Sequence, residues 1–332
     1  MLESDSMDAK YTVVPKRLVQ TERAPASTLL LDDQSLFIDF GSAAFGTLTV
    51  PIEADSRSDS LVVHLGEKLN TDGRIDRDPP GSIRYRRIAQ QLRGTGGPIR
   101  VVIPPDERNT RDAAILMPDY IGEVYPFRYA EIEDAAHIDA AAARQICVHY
   151  PFDDTASSFH SSDETLNAVW DLCKYSIKAT SFCGVYVDGD RERIPYEADA
   201  YINQLCHYSV DDEYGMARYT HEYLLQHPTW PTEWQLHSVM MAWQDYMYTG
   251  ETQSLELFYD DLCVKTLVEL ARDDGLISTE SPLCSRDFEE RLHFYGPRYA
   301  FDHGLRDLVD WPPGSFTNGG IGERDNHEMV PV

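Results

Sequence analysis

The sequence predicts a protein of two parts, a β-sandwich domain over residues 1–155 followed by a helical domain over residues 156–332. Short strand-like runs separated by Gly, Pro and Asp clusters dominate residues 11–150, with no long helical periods between them. Near Pro151 these runs stop, and apolar residues begin to recur at helical spacing. A chain of 332 residues is long enough for two domains.

Three runs show the strand pattern of the first part. They cover residues 35–40, 46–50 and 99–103, and the last of them ends at Pro104. Short strands of this kind favour a β-sandwich, which either binds a ligand or only supports its neighbour.

Five helices are predicted in the second part, beginning with one after Ser161. Ser161 and Glu164 fit a capping box, and Leu166, Val169, Trp170, Cys173 and Ile177 follow at helical spacing. The other four are expected at residues 195–208, 213–226, 232–248 and 254–272, each bounded by Pro or Gly signals. Their short links imply antiparallel hairpins, and residues 282–332 read as a long irregular connection.

Composition excludes several classes of partner. With 56 acidic and 29 basic residues, the formal charge of −27 repels nucleic acid and anionic membrane surfaces. No leader-like or membrane-spanning apolar run is seen, so a cytoplasmic location is expected. The six cysteines show no CxxC pattern and are expected to be reduced core thiols. No histidine pair has the HExxH spacing, so neither a metal nor another cofactor is expected.

The densest polar segment is residues 187–200, which carries seven charged side chains in a loop that runs into a helix. Tyr196, Asp199 and Asn203 are spaced to share one face of that helix. Carboxyl groups gathered in a pocket raise one another's pKa, as general acid catalysis requires. The alternative is a solvated loop in which Arg191 and Arg193 form weak surface ion pairs.

This segment resembles a loop-to-helix signature of bacterial α-L-rhamnosidases of glycoside hydrolase family 78. In that family an aspartate precedes an Arg-Glu-Arg step, and a second aspartate follows the glutamate by seven residues. Here Asp188, the step 191–193 and Asp199 occupy those positions. The resemblance implies that Glu192 is the general acid and that Asp188 and Asp199 hold rhamnose hydroxyls.

The segment differs from the common family pattern in two respects. The spacing from Asp188 to Glu192 is shorter than in many members, and Tyr196 stands where tryptophan is frequent. Tyr196 and Arg191 are nevertheless predicted to contact the substrate. Residues 40–46, 65–67, 83–85 and 122–129 also resemble the family's β-sandwich domain, so most of the chain is covered.

The resemblance also implies a fold for the second part. The helices would be the first part of an (α/α)6 six-hairpin toroid that is incomplete at Val332. In the family the general base is a glutamate from later helices, and Glu323 and Glu328 fall too early to take that role. We therefore expect the isolated chain to hydrolyse rhamnosides poorly. We also expect its uncovered helices to assemble as a homo-oligomer or with a complementing C-terminal half.

Tryptophans provide a second set of candidate ligand contacts, because an indole face can lie against a sugar ring. The resemblance places Trp234 and Trp311 in the rhamnose pocket. Trp243, at helical spacing with Val239 and Met240, is expected in the core instead.

The predicted function is that of an inverting glycoside hydrolase that releases terminal α-L-rhamnose from a rhamnose-containing glycoside. One alternative is a non-catalytic carbohydrate-binding or assembly remnant of such an enzyme. Another is a related (α/α)6 glycosidase that acts on a different sugar.

Overall fold

A computed structural model describes residues 11–52, 60–92, 97–111, 113–135, 138–294 and 304–305. Its strands are β1 (Val19–Arg23), β2 (Ser27–Leu30), β3 (Leu36–Ile52), β4 (Ser60–Gly66), β5 (Tyr85–Gln91), β6 (Gly97–Arg100), β7 (Tyr125–Ile132) and β8 (Arg144–His149). Its helices are α1 (Glu164–Thr180), α2 (Glu197–Val210), α3 (Gly215–Gln226), α4 (Thr232–Thr249), α5 (Gln253–Lys265) and α6 (Arg286–Arg291).

The strands form one antiparallel sheet in the order β1-β8-β3-β7-β4-β5, and β2 and β6 both pair with β3. The sheet buries apolar side chains such as Ile38, Leu48, Leu65 and Phe127 on a common core. An antiparallel β region before a helical region is therefore confirmed. The division of the strands into the two layers of a sandwich stays a prediction.

The long central strand β3 joins two runs that the sequence had suggested as separate strands. Its pairing with β7 shifts register between Asp39 and Ala44, which marks a bulge where the strand bends. Gly46 follows the bulge, where a Cβ atom would lie 1.9 Å from the Ile146 carbonyl oxygen of β8. Only glycine allows β3 and β8 to approach this closely at that point.

The short helix α6 lies within residues 282–332, which the sequence predicted to be irregular, so that prediction is wrong for this part. The predicted helices begin and end near their expected positions, with two differences. Asp163, rather than Ser161, caps α1 by accepting a hydrogen bond from the Thr165 N–H over 2.8 Å. The last long helix, α5, ends at Lys265 and not at residue 272. Leu267 adopts a left-handed backbone with φ of 55° there, which an α-helix cannot contain, and a short 3-10 turn follows.

Consecutive helices pack against each other from α1 to α5, and α2 also contacts α4, as α3 contacts α5. Two burial predictions are wrong. Trp243 is 57% exposed, because α4 buries its opposite face, including Met241 and Ala242. Cys173 and Cys263 are exposed, although all six thiols are free as expected.

The sheet and the helices share a hydrophobic core. The ring of Phe45 in β3 stacks on that of Phe182, which follows α1, with a centroid separation of 3.7 Å. Val148 and Tyr150 extend this core from the end of β8. Within the described ranges, no helix combines the length and the apolar character that crossing a lipid bilayer requires.

Candidate active site

The polar segment identified in the sequence forms a closed loop immediately before α2. The Asp188 N–H donates to the Ile194 carbonyl over 3.0 Å, and the Ile194 N–H donates to Asp188 Oδ1 over 3.2 Å. These two bonds close the loop at its base. Glu192 therefore lies near the tip of a short loop with a fixed base.

Among the predicted substrate carboxylates, Asp188 has a largely buried side chain that is only 7% exposed. Burial raises the pKa of Asp188 to about 6, against the opposing hydrogen bond from Ile194. The negative charges of Glu192 and Asp199 add to the rise. The structure thus brings the three predicted carboxyl groups into one electrostatic environment, in which Asp188 changes charge near pH 6.

Glu192 lies between two polar side chains. Its Oε2 accepts a hydrogen bond from the Tyr196 hydroxyl over 2.8 Å, and its Oε1 lies 3.3 Å from Arg191 Nε. The Glu192 side chain is 36% exposed, and that of Arg191 is 65% exposed. Glu192 is therefore fixed on its Tyr196 side and open to solvent on its Arg191 side.

Tyr196 also connects the loop to the predicted sugar platform. Its ring meets that of Trp234, in the first turn of α4, edge to face at a centroid separation of 5.4 Å. Tyr196 thus lies between Glu192 and Trp234 and contacts both of them. Trp311, with Glu323 and Glu328, lies outside the described residues.

Asp199 lies in the first turn of α2 with a partly buried side chain. Its carbonyl oxygen accepts a hydrogen bond from Asn203 Nδ2 over 2.9 Å. The Asn203 amide therefore donates to its own helix. Of the three residues spaced to share one helix face, Tyr196 and Asp199 remain as ligand candidates.

Inside the loop, Arg193 and Asp190 form a buried ion pair with a structural role that sequence reasoning missed. Arg193 is 1% exposed, and its guanidinium group pairs with Asp190 Oδ1 at 2.8 Å and with Glu123 Oε1 at 2.7 Å. The alternative of a weak surface pair is therefore wrong for Arg193, whereas Arg191 is exposed as that alternative supposes. No local signal reveals this burial, because Glu123 lies 70 positions away.

Glu197 was also missed, since it reads as one more charge in a charged segment. Its buried carboxylate accepts hydrogen bonds from the Thr229 N–H, over 2.8 Å, and from the Thr229 hydroxyl. The Gln235 amide donates a further, longer bond over 3.4 Å. Because Thr229 and Gln235 flank the start of α4, Glu197 fixes the turn that carries Trp234 against α2.

A concave surface lies on the sheet, where a shallow depression of about 370 Å³ is lined by residues such as Gln90, Leu92, Ile99 and Arg100. It has no carboxylate in its lining and shares no residue with the loop. No cluster of three or more metal-ligating side chains occurs among the residues that the structure describes.

Comparison with known proteins gives a family likeness for the helical part. Residues 154–278 match the family model for the bacterial alpha-L-rhamnosidase six-hairpin glycosidase domain, and no curated protein matches the chain. The chain is α-L-rhamnosidase-like. The likeness to a rhamnosidase-type glycosidase that the sequence suggested is thereby confirmed, and the match to the six-hairpin glycosidase domain lies in the predicted helical part.

Solved rhamnosidase structures extend this likeness to the strands. The chain is 14% identical to the Klebsiella oxytoca rhamnosidase with rhamnose bound, with a TM-score of 0.56 over 79% of this chain and 59% of that one. It is 16% identical to the alpha-L-rhamnosidase of Dictyoglumus thermophilum, with a TM-score of 0.59 over 80% and 30%.

The alpha-L-rhamnosidase of Streptomyces avermitilis, complexed with L-rhamnose, is 14% identical to the chain, with a TM-score of 0.59 over 80% of this chain and 26% of that one. At these identities the match establishes the fold. The rhamnosidase-like chain thus spans 59% or less of the length of these three proteins.

Proposed function

We propose that this rhamnosidase-like chain acts in the hydrolysis of a glycoside with a terminal α-L-rhamnose, and that Glu192 is the general acid. The observation that carries this proposal is the placement of Glu192 beside Tyr196 and Arg191, in the electrostatic environment of Asp188 and Asp199.

The surrounding groups suit a neutral sugar. Carboxylates such as Asp188 and Asp199 accept hydrogen bonds from hydroxyl groups, and the indole of Trp234 offers a flat apolar face. Arg191 can also bond a hydroxyl, since its exposed guanidinium group carries five N–H donors. We assign these four residues to substrate binding.

The contacts of the two Glu192 carboxyl oxygens indicate which of them would donate the proton. Tyr196 holds Oε2, so Oε1 is the atom that faces the departing glycosidic oxygen once the exposed Arg191 side chain has moved aside. Inversion also requires a second carboxylate that activates water.

We also propose that α1–α5 are hairpins of an (α/α)6 toroid. In such a ring alternate helices are neighbours in the inner or the outer layer, so contacts are expected between helices two apart as well as between consecutive helices. The contacts α2 to α4 and α3 to α5 agree with that arrangement. The eight-stranded sheet would correspond to the β-sandwich domain before the toroid.

Binding and turnover test the proposal separately. L-Rhamnose is titrated into the chain by calorimetry, and release from an aryl α-L-rhamnoside is followed. We expect Asp199→Asn to weaken rhamnose binding by roughly tenfold, because a hydrogen bond to a charged group is lost. Glu192→Gln should keep binding and abolish any release.

The matched control is Asp171→Asn, which changes an exposed aspartate of α1 and should alter neither quantity. The proposal is wrong if L-rhamnose binds no more tightly than D-glucose, or if Asp199→Asn binds it as the unchanged chain does.

A second candidate is a carbohydrate-binding role without catalysis. It is favoured by one observation, that both carboxyl oxygens of Glu192 already contact protein groups. Rhamnose binding without detectable release at any pH between about 4 and 8, even after addition of a C-terminal half that completes the toroid, would support this second role.

A further inference from the structure

We infer that the strand half of the molecule positions the proposed general acid, through a cluster of the half-buried Glu123 with the buried Asp190 and Arg193 that fixes the loop on which Glu192 lies. This inference rests on the role proposed for Glu192. Glu123 precedes β7, whereas Asp190 and Arg193 lie on either side of Glu192 in the loop.

Arg193 is the centre of this cluster. Its Nη1 donates to Glu123 Oε1 over 2.7 Å, and its Nε and Nη2 donate to Asp190 Oδ1 over 3.1 Å and 2.8 Å. Its guanidinium carbon lies 5.4 Å from the centroid of the Phe182 ring. The guanidinium group therefore joins Asp190 of the loop to Glu123 of the strand half and lies over the Phe182 ring.

Asp190 has its own contacts with the strand half. Asn109 Nδ2 donates to the Asp190 carbonyl oxygen over 3.0 Å and to its Oδ1 over 2.9 Å. Arg84 Nη2 lies 3.0 Å from Asp190 Oδ2, and Ile115 N–H donates to the Arg193 carbonyl oxygen over 2.9 Å. The residues that flank Glu192 are thus tied to the strand half by both side chain and backbone.

The backbone explains why these contacts matter for Glu192. Arg193 has a left-handed backbone with φ of 56°, which an L-residue rarely adopts. Its side chain points into the interior, whereas that of Glu192, one residue before, stays at the surface. Such a conformation persists only when its surroundings impose it, so removing a partner lets the loop relax and moves the Glu192 carboxyl.

The experiment observes Glu192 directly. In a chain labelled with carbon-13 at the glutamate carboxyls, the Glu192 resonance is assigned by its loss in Glu192→Gln. Glu123→Gln removes one charge of the cluster and keeps the side-chain shape. We expect it to shift the Glu192 resonance and to weaken L-rhamnose binding roughly tenfold.

The matched control is Glu131→Gln. Glu131 is a buried carboxylate of β7, 1% exposed and paired with Arg74 at 2.9 Å, at a site of the strand half away from the loop. The Glu131→Gln substitution should lower the stability of the chain and leave the Glu192 resonance and the rhamnose affinity unchanged. If Glu123→Gln does not fold, Asn109→Ala removes the donor to Asp190 and answers the same question.

The outcomes separate this inference from the proposed function. If rhamnose perturbs the Glu192 resonance but Glu123→Gln and Asn109→Ala do not, the positioning role is refuted and the proposed function stands. If both substitutions shift the resonance and rhamnose does not, the loop is positioned as inferred and the proposed function is refuted. An equal shift from Glu131→Gln would also overturn the inference, since it would show a general loss of stability.

Discussion

Asp188 carries an energetic cost at neutral pH. Its side chain is 7% exposed and receives a hydrogen bond from the Ile194 N–H, while its closest cation, Arg191, lies 3.5 Å away and is mostly in solvent. These partners do not offset the cost of burying the negative charge, so the pKa of Asp188 is raised to about 6. A carboxylate kept in such a place is typical of a functional site.

This leads to a prediction on stability. Because the folded-state pKa of Asp188 lies above its unfolded value of 3.8, its stabilising contribution is present below that value and is lost as the pH rises through about 6. Asp188→Asn cannot ionise and should gain stability relative to the unchanged chain over that window. After allowance for solvent screening the gain is on the order of 2 kcal/mol.

Urea unfolding of both chains at pH values below and above this window measures the difference. Asp171→Asn, at an exposed position, serves as the control. A difference between the Asp188→Asn chain and the unchanged chain that stays constant with pH would contradict the shifted pKa.

At the scale of elements, α1 depends on its N-terminal cap. Asp163 accepts the Thr165 N–H, one of the donors that a helix leaves without an internal partner. We expect Asp163→Ala to cost about 1 kcal/mol of unfolding free energy and Asp163→Asn to cost much less, because asparagine also caps helices. Chemical denaturation followed by far-ultraviolet circular dichroism measures both. Equal losses would show that the cap is not the cause.

Helix α3 carries a buried histidine that makes it sensitive to acid. Burial lowers the pKa of His221 to about 4, with the charge of Asp245 opposing this effect. The folded pKa lies below the unfolded value of 6.5, so stability is full above that value and is lost as the pH falls towards 4. The shifted pKa of His221 contributes about 3 kcal/mol to the free energy of unfolding at neutral pH.

His221→Gln should remove this dependence. The unchanged chain is expected to lose more stability than His221→Gln as the pH falls from the unfolded to the folded value, because glutamine takes up no proton. Thermal or urea unfolding at several pH values tests this. Parallel pH profiles for the two chains would exclude His221 as the cause.

At the scale of the whole molecule, the strands and the helices share one core around Phe182. Phe182 is fully buried and stacks on Phe45 of β3, and Tyr175 of α1 donates a hydrogen bond to the Ala43 carbonyl oxygen over 2.5 Å. Contacts of this kind couple the unfolding of the two halves. The molecule is therefore expected to unfold as one unit.

Phe182→Ala should then destabilise both halves together, by about 3–5 kcal/mol, because it removes a buried ring and leaves a cavity. Hydrogen exchange read by mass spectrometry should show faster exchange in peptides of β3 and of α2 alike. Faster exchange in the helices alone would show that the halves unfold separately.

The order of strands and helices, the positions of α2, α3 and α4, and the likeness to rhamnosidases were all accessible from the sequence. Each depends on local information, namely apolar periodicity, proline and glycine at helix ends, and a short motif. Predictions that required the burial of a particular side chain were less secure. Trp243 was expected in the core because of its spacing, yet α4 turns that face to solvent.

By itself, the sequence determined that a strand-rich part precedes a helical part, where α2, α3 and α4 approximately lie, and that Asp188 and Glu192 share the loop before α2. The tertiary structure alone decided that Arg193 is buried, that Tyr196 links Glu192 to Trp234, and that the strand half contacts the loop. The physical reason is range. Helical periodicity is a pattern of neighbouring residues and can be recognised in a short segment. The burial of a charge depends on distant partners, since Glu123 lies 70 positions from Arg193 and contacts it only in the folded chain.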